Sequence, residues 1–214
     1  MNNTEIQKLI DGFGRFHTKH FKSEDSLYSR LSREGQSPRI MVIACCDSRV
    51  DPAIITDCDP GDLFVVRNVA NLVPPHETAG HYHGTSAALE FAVRILDIHD
   101  VIVLGHSRCG GIQTLIHNTG TEEGVGQFIK PWMAIADKAR TAALTSGAVL
   151  SPDEAARKVE QAAIGISLQN LMTFPWVRER VEHASLHLHG WYFDMEHGQL
   201  LRYNPTTNSF ELLQ

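Results

Sequence analysis

Short apolar runs alternate along this chain with longer segments in which apolar residues recur every three or four positions. The runs at 40–44, 63–67 and 100–105 are rich in Ile, Val, Leu and Met and predict strands buried on both faces. Residues 185–193, 199–202 and 209–212 form a β-rich C-terminal part. The pattern predicts an α/β fold: a mostly parallel central sheet flanked by helices, with an antiparallel C-terminal edge strand and N-terminal helices.

Helical periodicity predicts an amphipathic helix at residues 4–21 and a shorter one at 25–33, which Gly35 ends. A helix after Thr85 should bury one stripe, and Ser151-Pro152-Asp153-Glu154 is a strong helix start. We expect one domain over residues 1–214, with 1–35 as an N-terminal helical arm and 36–214 as an α/β core that carries the metal ligands described below. In the helix predicted after Thr85, the buried stripe consists of Ala88, Leu89, Ala92, Ile95 and Leu96.

Composition and charge narrow the classes of function. The 214 residues are 43% hydrophobic, enough for a substantial core, and the net charge is −6 without a Lys/Arg cluster, which makes nucleic acid an unexpected partner. No apolar run reaches the roughly 18 residues that a membrane span needs, and the N-terminus does not resemble a signal peptide. The sequence therefore predicts a cytoplasmic protein that has neither a nucleic-acid nor a membrane partner.

Two of the predicted strands end in residues that bind soft metals. Cys45 follows the first strand, and His106 and Cys109 follow the third. Two thiolates and one imidazole form the Cys2His set of a catalytic zinc site, in which the fourth position holds water. We expect one Zn²⁺ per chain, and structural roles for Cys46 and Cys58.

Asp47 and Arg49 lie just beyond the first ligand. Side chains alternate along an extended strand, so Cys45, Asp47 and Arg49 should leave the same side if the chain stays extended. Asp47 has two open roles: it can orient the zinc-bound hydroxide, or it can take the fourth zinc position and close the site. Arg49 can pair with Asp47 through a bidentate contact and hold it away from the metal.

The motifs Cys45-x-Asp47-Ser48-Arg49 and His106-x-x-Cys109-Gly110-Gly111, with residues 64–71 between them, resemble those of β-class carbonic anhydrases. The resemblance implies reversible hydration of carbon dioxide to bicarbonate and a proton by zinc-bound hydroxide, that is, a zinc lyase, with Asp47 and Arg49 as a gating dyad. It also implies homodimers or multiples of dimers, N-terminal helices that embrace the partner, and active sites close to the dimer interface.

The resemblance extends to a plant-like substrate pocket. Gln36 matches a glutamine before the first strand, Phe64 and Val69 match an apolar wall, and Phe91 stands where those members have tyrosine. Another subgroup binds inhibitory bicarbonate with a tryptophan where this chain has Val42, although Arg67 is kept. We therefore expect no bicarbonate switch and a site that is open to water at neutral pH.

Two other functions remain open from the sequence. A related zinc hydrolase could act on carbon disulfide or carbonyl sulfide with the same ligands. A non-enzymatic, zinc-stabilised binding protein would keep Asp47 as a permanent fourth ligand, and Arg49 argues against that reading because a structural ligand needs no competing cation.

Several histidines could carry further chemistry. One group in a polar loop could relay protons, and another near the C-terminal strands could bind metal, but loop and surface roles are the favoured readings. The first group is His76, His81 and His83, and the second is His187 and His189 with His183 or His197.

Overall fold

A six-stranded sheet forms the centre of the protein in the computed structural model, which describes residues 4–23, 25–80, 82–117, 126–145 and 149–213. The strand order is β2-β1-β3-β4-β5-β6. The strands are β1 (Ile40–Cys45), β2 (Leu63–Asn68), β3 (Asp100–His106), β4 (His187–Asp194), β5 (Gln199–Asn204) and β6 (Ser209–Leu212).

The first four strands are parallel, and β5 and β6 pair antiparallel at the C-terminal edge. The mixed α/β architecture predicted from the sequence is confirmed. In the β1–β3 register Ala44 lies opposite Leu104, so Cys45 and His106 end neighbouring strands at the same carboxyl edge. Loops that leave this edge carry the candidate chemistry.

Helices surround the sheet at the predicted places. The capping box at Ser151 is present, and Ser26 and Asp51 also cap helices with their side chains. The helices are α1 (Thr4–His20), α2 (Leu27–Glu34), α3 (Pro52–Thr56), α4 (Gly84–Glu90), α5 (Gly110–His117), α6 (Ile129–Met133), α7 (Asp137–Leu144), α8 (Pro152–Leu171) and α9 (Pro175–Glu182). Within the described residues, none of them is long and apolar enough to span a membrane.

The core is divided by the sheet because strand side chains alternate between its faces. Met41, Ile43 and Val103 face the helical side, where they pack with residues of α4, α8 and α9. The other face carries Val42, Ala44, Ile102 and Leu104. A third cluster lies at the carboxyl edge and contains the two buried cysteines, which places the candidate site within packed structure.

One predicted buried position is wrong. Ile95 is 67% exposed because α4 continues into a π-helical turn, Phe91–Ile95, closed by the bond from Leu96 N to Phe91 O. The wider turn shifts the helical phase, so that Val93 is buried instead of Ile95, while Ala92 is buried as predicted.

The N-terminal helices contact each other through aromatic rings. Phe16 lies edge-on to Tyr28 at 5.1 Å between ring centroids, and Phe21 stacks on Tyr28 at 5.4 Å. Helix α1 has no buried residue along its 17 positions. Its apolar side is therefore exposed in the single chain.

Candidate metal centre

Three side chains meet at the carboxyl edge of the sheet. Cys45 ends β1, His106 ends β3, and Cys109 immediately precedes α5. Their exposed fractions are 4%, 1% and 1%, and their ligand atoms all lie within 4.8 Å of one another. The structure thus brings together the three ligands that the sequence predicts.

The His106 ring is oriented by its own loop. Its Nδ1 lies 2.9 Å from the carbonyl oxygen of Ser107, which can only accept, so Nδ1 carries the proton. The lone pair then resides on Nε2, a buried atom with no hydrogen-bond partner among the described residues. A buried acceptor beside two sulfur atoms is the arrangement of a metal ligand whose tautomer is fixed by its neighbour.

The two sulfur atoms have different affinities for protons. A hydrogen bond from Cys109 lowers the pKa of Cys45 to about 4, although burial opposes this. The Cys45 sulfur in turn raises the pKa of Cys109, and burial adds to that effect. Burial lowers the pKa of His106, but the adjacent Cys45 outweighs it and the pKa is raised overall. The Cys45 thiolate thus places a negative charge in a buried site, where a cation would neutralise it.

The donor set fits zinc. Zn–S bonds of about 2.3 Å and Zn–N bonds of about 2.0 Å place the ligand atoms of a tetrahedral site about 3.5–3.8 Å apart. Three atoms within 4.8 Å of one another agree with such a centre after small side-chain adjustments. Three protein ligands leave a fourth position for water or substrate, which is the pattern of a catalytic site.

The segment after β1 turns instead of remaining extended. The Val50 amide donates to the Asp47 carbonyl oxygen at 3.1 Å, and the Arg49 amide donates to Asp47 Oδ1 at 3.0 Å. The strand ends at Cys45, so the extended chain on which the predicted alternation of these side chains depends does not continue to Asp47 and Arg49. A local turn, and not strand geometry, brings Arg49 onto Asp47.

Arg49 holds Asp47 through a bidentate pair. Nε donates to Oδ1 at 2.9 Å, and Nη2 donates to Oδ2 at 2.7 Å. These hydrogen bonds hold the pKa of Asp47 well below its usual range, so the carboxylate is ionised at neutral pH. Asp47 is not a member of the close ligand group formed by Cys45, His106 and Cys109.

Arg67 braces the same segment from β2. It donates to the carbonyl oxygens of Cys45 at 2.9 Å and of Asp47 at 2.7 Å, and it pairs with Asp51 at 2.9 Å. Asp51 also caps α3. The guanidinium therefore fixes the backbone that carries the first ligand and the carboxylate, a role that the sequence analysis did not assign to it.

Glu160 supports the second ligand segment and was also missed. Its Oε1 accepts from the Cys109 amide at 3.0 Å, and its Oε2 accepts from the Tyr192 hydroxyl at 2.7 Å. Burial raises the pKa of Glu160. The sequence holds a signal for it, since Glu160 shares the buried face of α8 with Ala156, Val159 and Ala163. A carboxylate on an apolar stripe requires partners.

The predicted pocket residues do not all meet around the metal centre of one chain. Val69 does lie close, since a Cβ on Gly111 would be 2.8 Å from its Cγ1. Phe64 stacks on Phe91 with centroids 5.9 Å apart, but it pairs with Met41 near the start of β1. Gln36 precedes that strand and is exposed. Cys45 ends the same strand, and the rise per residue of a strand places it roughly 17 Å from the strand's first residue.

The remaining predicted residues form no metal group within the described chain. His189 pairs with Asp100 at 2.8 Å, and His197 pairs with Asp194 at 2.9 Å. His83 bonds locally to the carbonyl of Ala79, while His81 lies outside the described residues. Cys46 is exposed and Cys58 is half-buried.

The fold and the site together define an α/β protein with a Cys2His centre at the carboxyl edge of a mostly parallel sheet. A family model described as "Carbonic anhydrase" matches residues 40–200. The chain is 36% identical over 205 residues to a carbonic anhydrase of Synechocystis sp., covering 96% of this chain and 73% of that protein. It spans 63 to 74% of the length of three such relatives.

Solved structures agree with this assignment. The β-carbonic anhydrase CcaA superposes with a TM-score of 0.91 at 35% identity, covering 99% of this chain and 93% of that one. A tetrameric β-carbonic anhydrase from Sordaria macrospora has a TM-score of 0.80 at 27% identity, covering 94% and 97% of the two chains. The chain belongs to the β-carbonic anhydrase family.

Proposed function

We propose that this protein catalyses the reversible hydration of carbon dioxide to bicarbonate and a proton, with one Zn²⁺ per chain held by Cys45, His106 and Cys109. The observation that carries the proposal is the buried, unpartnered Nε2 of His106 beside two cysteine sulfurs. Membership of a carbonic anhydrase family supports the choice of reaction.

Asp47 orients the attacking oxygen. Zinc, when bound, lowers the pKa of water to about 7 and thereby supplies hydroxide near neutral pH. The ionised Asp47 can only accept hydrogen bonds, so it directs the lone pair of the attacking oxygen towards the carbon of carbon dioxide. Its side chain is 17% exposed, which leaves access to a small molecule.

Arg49 acts as the gate that keeps Asp47 off the metal. Both carboxylate oxygens are bound to the guanidinium at 2.9 and 2.7 Å, which opposes movement of Asp47 into the fourth zinc position. The same pairing disfavours the non-enzymatic alternative, because a permanently closed site would need Asp47 free to bind zinc.

The pocket requires a second chain. Gln36, Phe64 and Phe91 lie near the start of the strands that end at the metal centre, so a pocket that combines them with Val69 needs a neighbouring copy to supply them. We infer a homodimer, or a multiple of dimers, in which residues 1–35 form the helical arm of a single 214-residue domain. A cytoplasmic location stays a prediction.

Stopped-flow carbon dioxide hydration with zinc-loaded protein tests the function. We expect rapid turnover by the unaltered chain. Cys45→Ser should lose zinc and activity together, whereas Asp47→Ala should keep one zinc per chain and lose about 10²-fold or more in turnover at neutral pH. Retained activity in Cys45→Ser would remove the metal assignment, and full activity in Asp47→Ala would remove the role of the carboxylate.

A further inference from the structure

Arg108 occupies an unusual position between two of the metal ligands. Its φ is +60°, in the left-handed region that residues with a Cβ seldom adopt. Its side chain reaches two carboxylates that are distant in sequence, Asp153 at the start of α8 and Glu196 in the turn between β4 and β5. We propose that Asp153 and Glu196, acting through Arg108, are positioning residues for the Asp47–Arg49 dyad.

The peptide unit that joins Arg108 to Cys109 has hydrogen bonds on both of its sides. Its carbonyl oxygen accepts from Arg49 Nη2 at 3.0 Å, and its amide donates to Glu160 Oε1 at 3.0 Å. The carbonyl and the amide of a trans peptide point in opposite directions, and no cis peptide bond is present among the described residues. One planar unit therefore links the buried Glu160 to the guanidinium of the dyad, and rotating it would break both contacts.

The side chain of Arg108 sets the tilt of that peptide plane through its contacts with two carboxylates. Arg108 Nη1 donates to Asp153 Oδ1 at 2.8 Å, while Nη2 donates to Asp153 Oδ2 at 3.2 Å and to Glu196 Oε1 at 2.7 Å. These contacts attach a left-handed residue to two separate elements. They hold the backbone in the conformation that aims its carbonyl at Arg49.

The guanidinium of Arg49 connects this peptide unit to the dyad. Arg49 Nη2 serves both Asp47 Oδ2, at 2.7 Å, and the Arg108 carbonyl oxygen, at 3.0 Å. The carbonyl thus helps to hold the guanidinium that holds Asp47. We call Asp153 and Glu196, with their pairs to Arg108, the clamp. Loss of the clamp should loosen Arg49 and let Asp47 occupy the fourth metal position more often. This inference rests on the proposed gating role of the dyad.

The test compares the double variant Asp153→Asn/Glu196→Gln with the control variant Glu90→Gln. The control removes an exposed ion pair elsewhere, between Glu90 of α4 and Arg94 of its π-helical extension. Cobalt(II) replaces zinc, and azide is titrated against the visible spectrum to report an open fourth position. Hydration is measured on the zinc forms at pH 7 and 9, together with zinc content and the thermal midpoint. Arg108→Gly, which accepts a positive φ without strain, is the second variant.

We expect the double variant and Arg108→Gly to keep one zinc per chain. Because two exposed pairs each contribute modestly, the azide concentration for half of the spectral change should rise about three- to ten-fold, and turnover at pH 7 should fall by a similar factor with recovery at pH 9. Glu90→Gln should match the unaltered protein in both measurements.

Unchanged azide titrations in the double variant and in Arg108→Gly would overturn the inference, as would a cobalt spectrum of the unaltered protein that does not respond to azide. An unaltered protein without hydration activity would instead refute the proposed reaction. In that case the azide titration still decides whether the clamp controls access to the metal.

Discussion

At the scale of single residues, the metal centre depends on where protons reside. The hydrogen bond from Cys109 lowers the pKa of Cys45 and favours its thiolate at neutral pH, whereas that thiolate and burial raise the pKa of Cys109. The pKa of His106 is also raised. Zinc binds two thiolates and a neutral imidazole, so protons and zinc compete for the same atoms.

Zinc binding should therefore release more than one proton at pH 7: one from Cys109 and a fraction from His106. Each proton that zinc must displace lowers the zinc affinity about tenfold per unit fall in pH, so the affinity should fall by about one to two decades per pH unit below neutrality. Calorimetry of zinc binding in buffers of different ionisation enthalpy measures the number of protons released. A pH-independent affinity would contradict this description of the ligands.

The three metal ligands could be read from the sequence because their chemistry belongs to the side chains and because parallel strands place their ends at one edge. The residues that position these ligands and the dyad could not be predicted in the same way. Asp153 and Glu196 lie 45 and 88 positions from Arg108, and only the tertiary fold brings them to it. The Asp47–Arg49 pair forms as predicted, but a turn brings the two side chains together where the prediction had considered an extended chain.

At the scale of elements, the close approach between α8 and the sheet positions β3, the strand that ends in His106. Ile164 of α8 packs over two strand glycines: a Cβ on Gly105 would be 2.7 Å from its Cδ1, and a Cβ on Gly190 would be 2.8 Å from its Cγ2. Since Glu160 precedes Ile164 by one helical turn, the same packing brings its carboxylate to Cys109.

Gly190→Ala should therefore destabilise the protein by about 1–3 kcal/mol through overpacking against Ile164 and Leu168. The matched control is Gly165→Ala on α8, where an added Cβ meets nothing within 4 Å. The control should be neutral or stabilising by about 0.5–1 kcal/mol, because alanine favours a helix over glycine. Urea unfolding measures both variants, and equal stability of Gly190→Ala and the unaltered chain would refute the close-packing argument.

Helical phase shows why element boundaries and faces were harder to predict than element types. The stripe through Ala88, Leu89 and Ala92 follows ordinary helical spacing, and Leu89 and Ala92 are buried as expected. The π-helical turn at Phe91–Ile95, which moves Ile95 to the surface, has no signal in residue type.

At the scale of the whole molecule, the exposed side of α1 is the feature that the single chain leaves unexplained. Leu9, Ile10 and Phe13 lie on one helical face and are 68%, 56% and 63% exposed. Helices of soluble assemblies bury such a stripe against another surface. The proposed dimer supplies that surface, and it also supplies the pocket residues that one chain keeps away from its own metal centre.

We expect the unaltered protein to have at least twice the 23.8 kDa mass of one chain in light scattering coupled to size exclusion. Leu9→Glu/Phe13→Glu should shift it towards the monomer, because charges cannot be buried without partners. Lys8→Gln/Arg15→Gln changes the net charge by the same amount on the same helix and should leave the assembly intact. A monomeric unaltered protein, or an unchanged mass for the first variant, would contradict the proposed arm.

If Arg49 keeps the zinc site open, carbon dioxide is hydrated at pH 7 as well as at pH 8.5, and the ratio of the two turnover rates shows whether it does. The measurement is stopped-flow carbon dioxide hydration on protein that holds one zinc per chain. Because Arg49 keeps Asp47 ionised and paired across this range, we expect fast turnover at both pH values. Activity confined to pH 8.5 would mean that Asp47 occupies the metal at neutral pH in spite of Arg49, and the open-site account would be wrong.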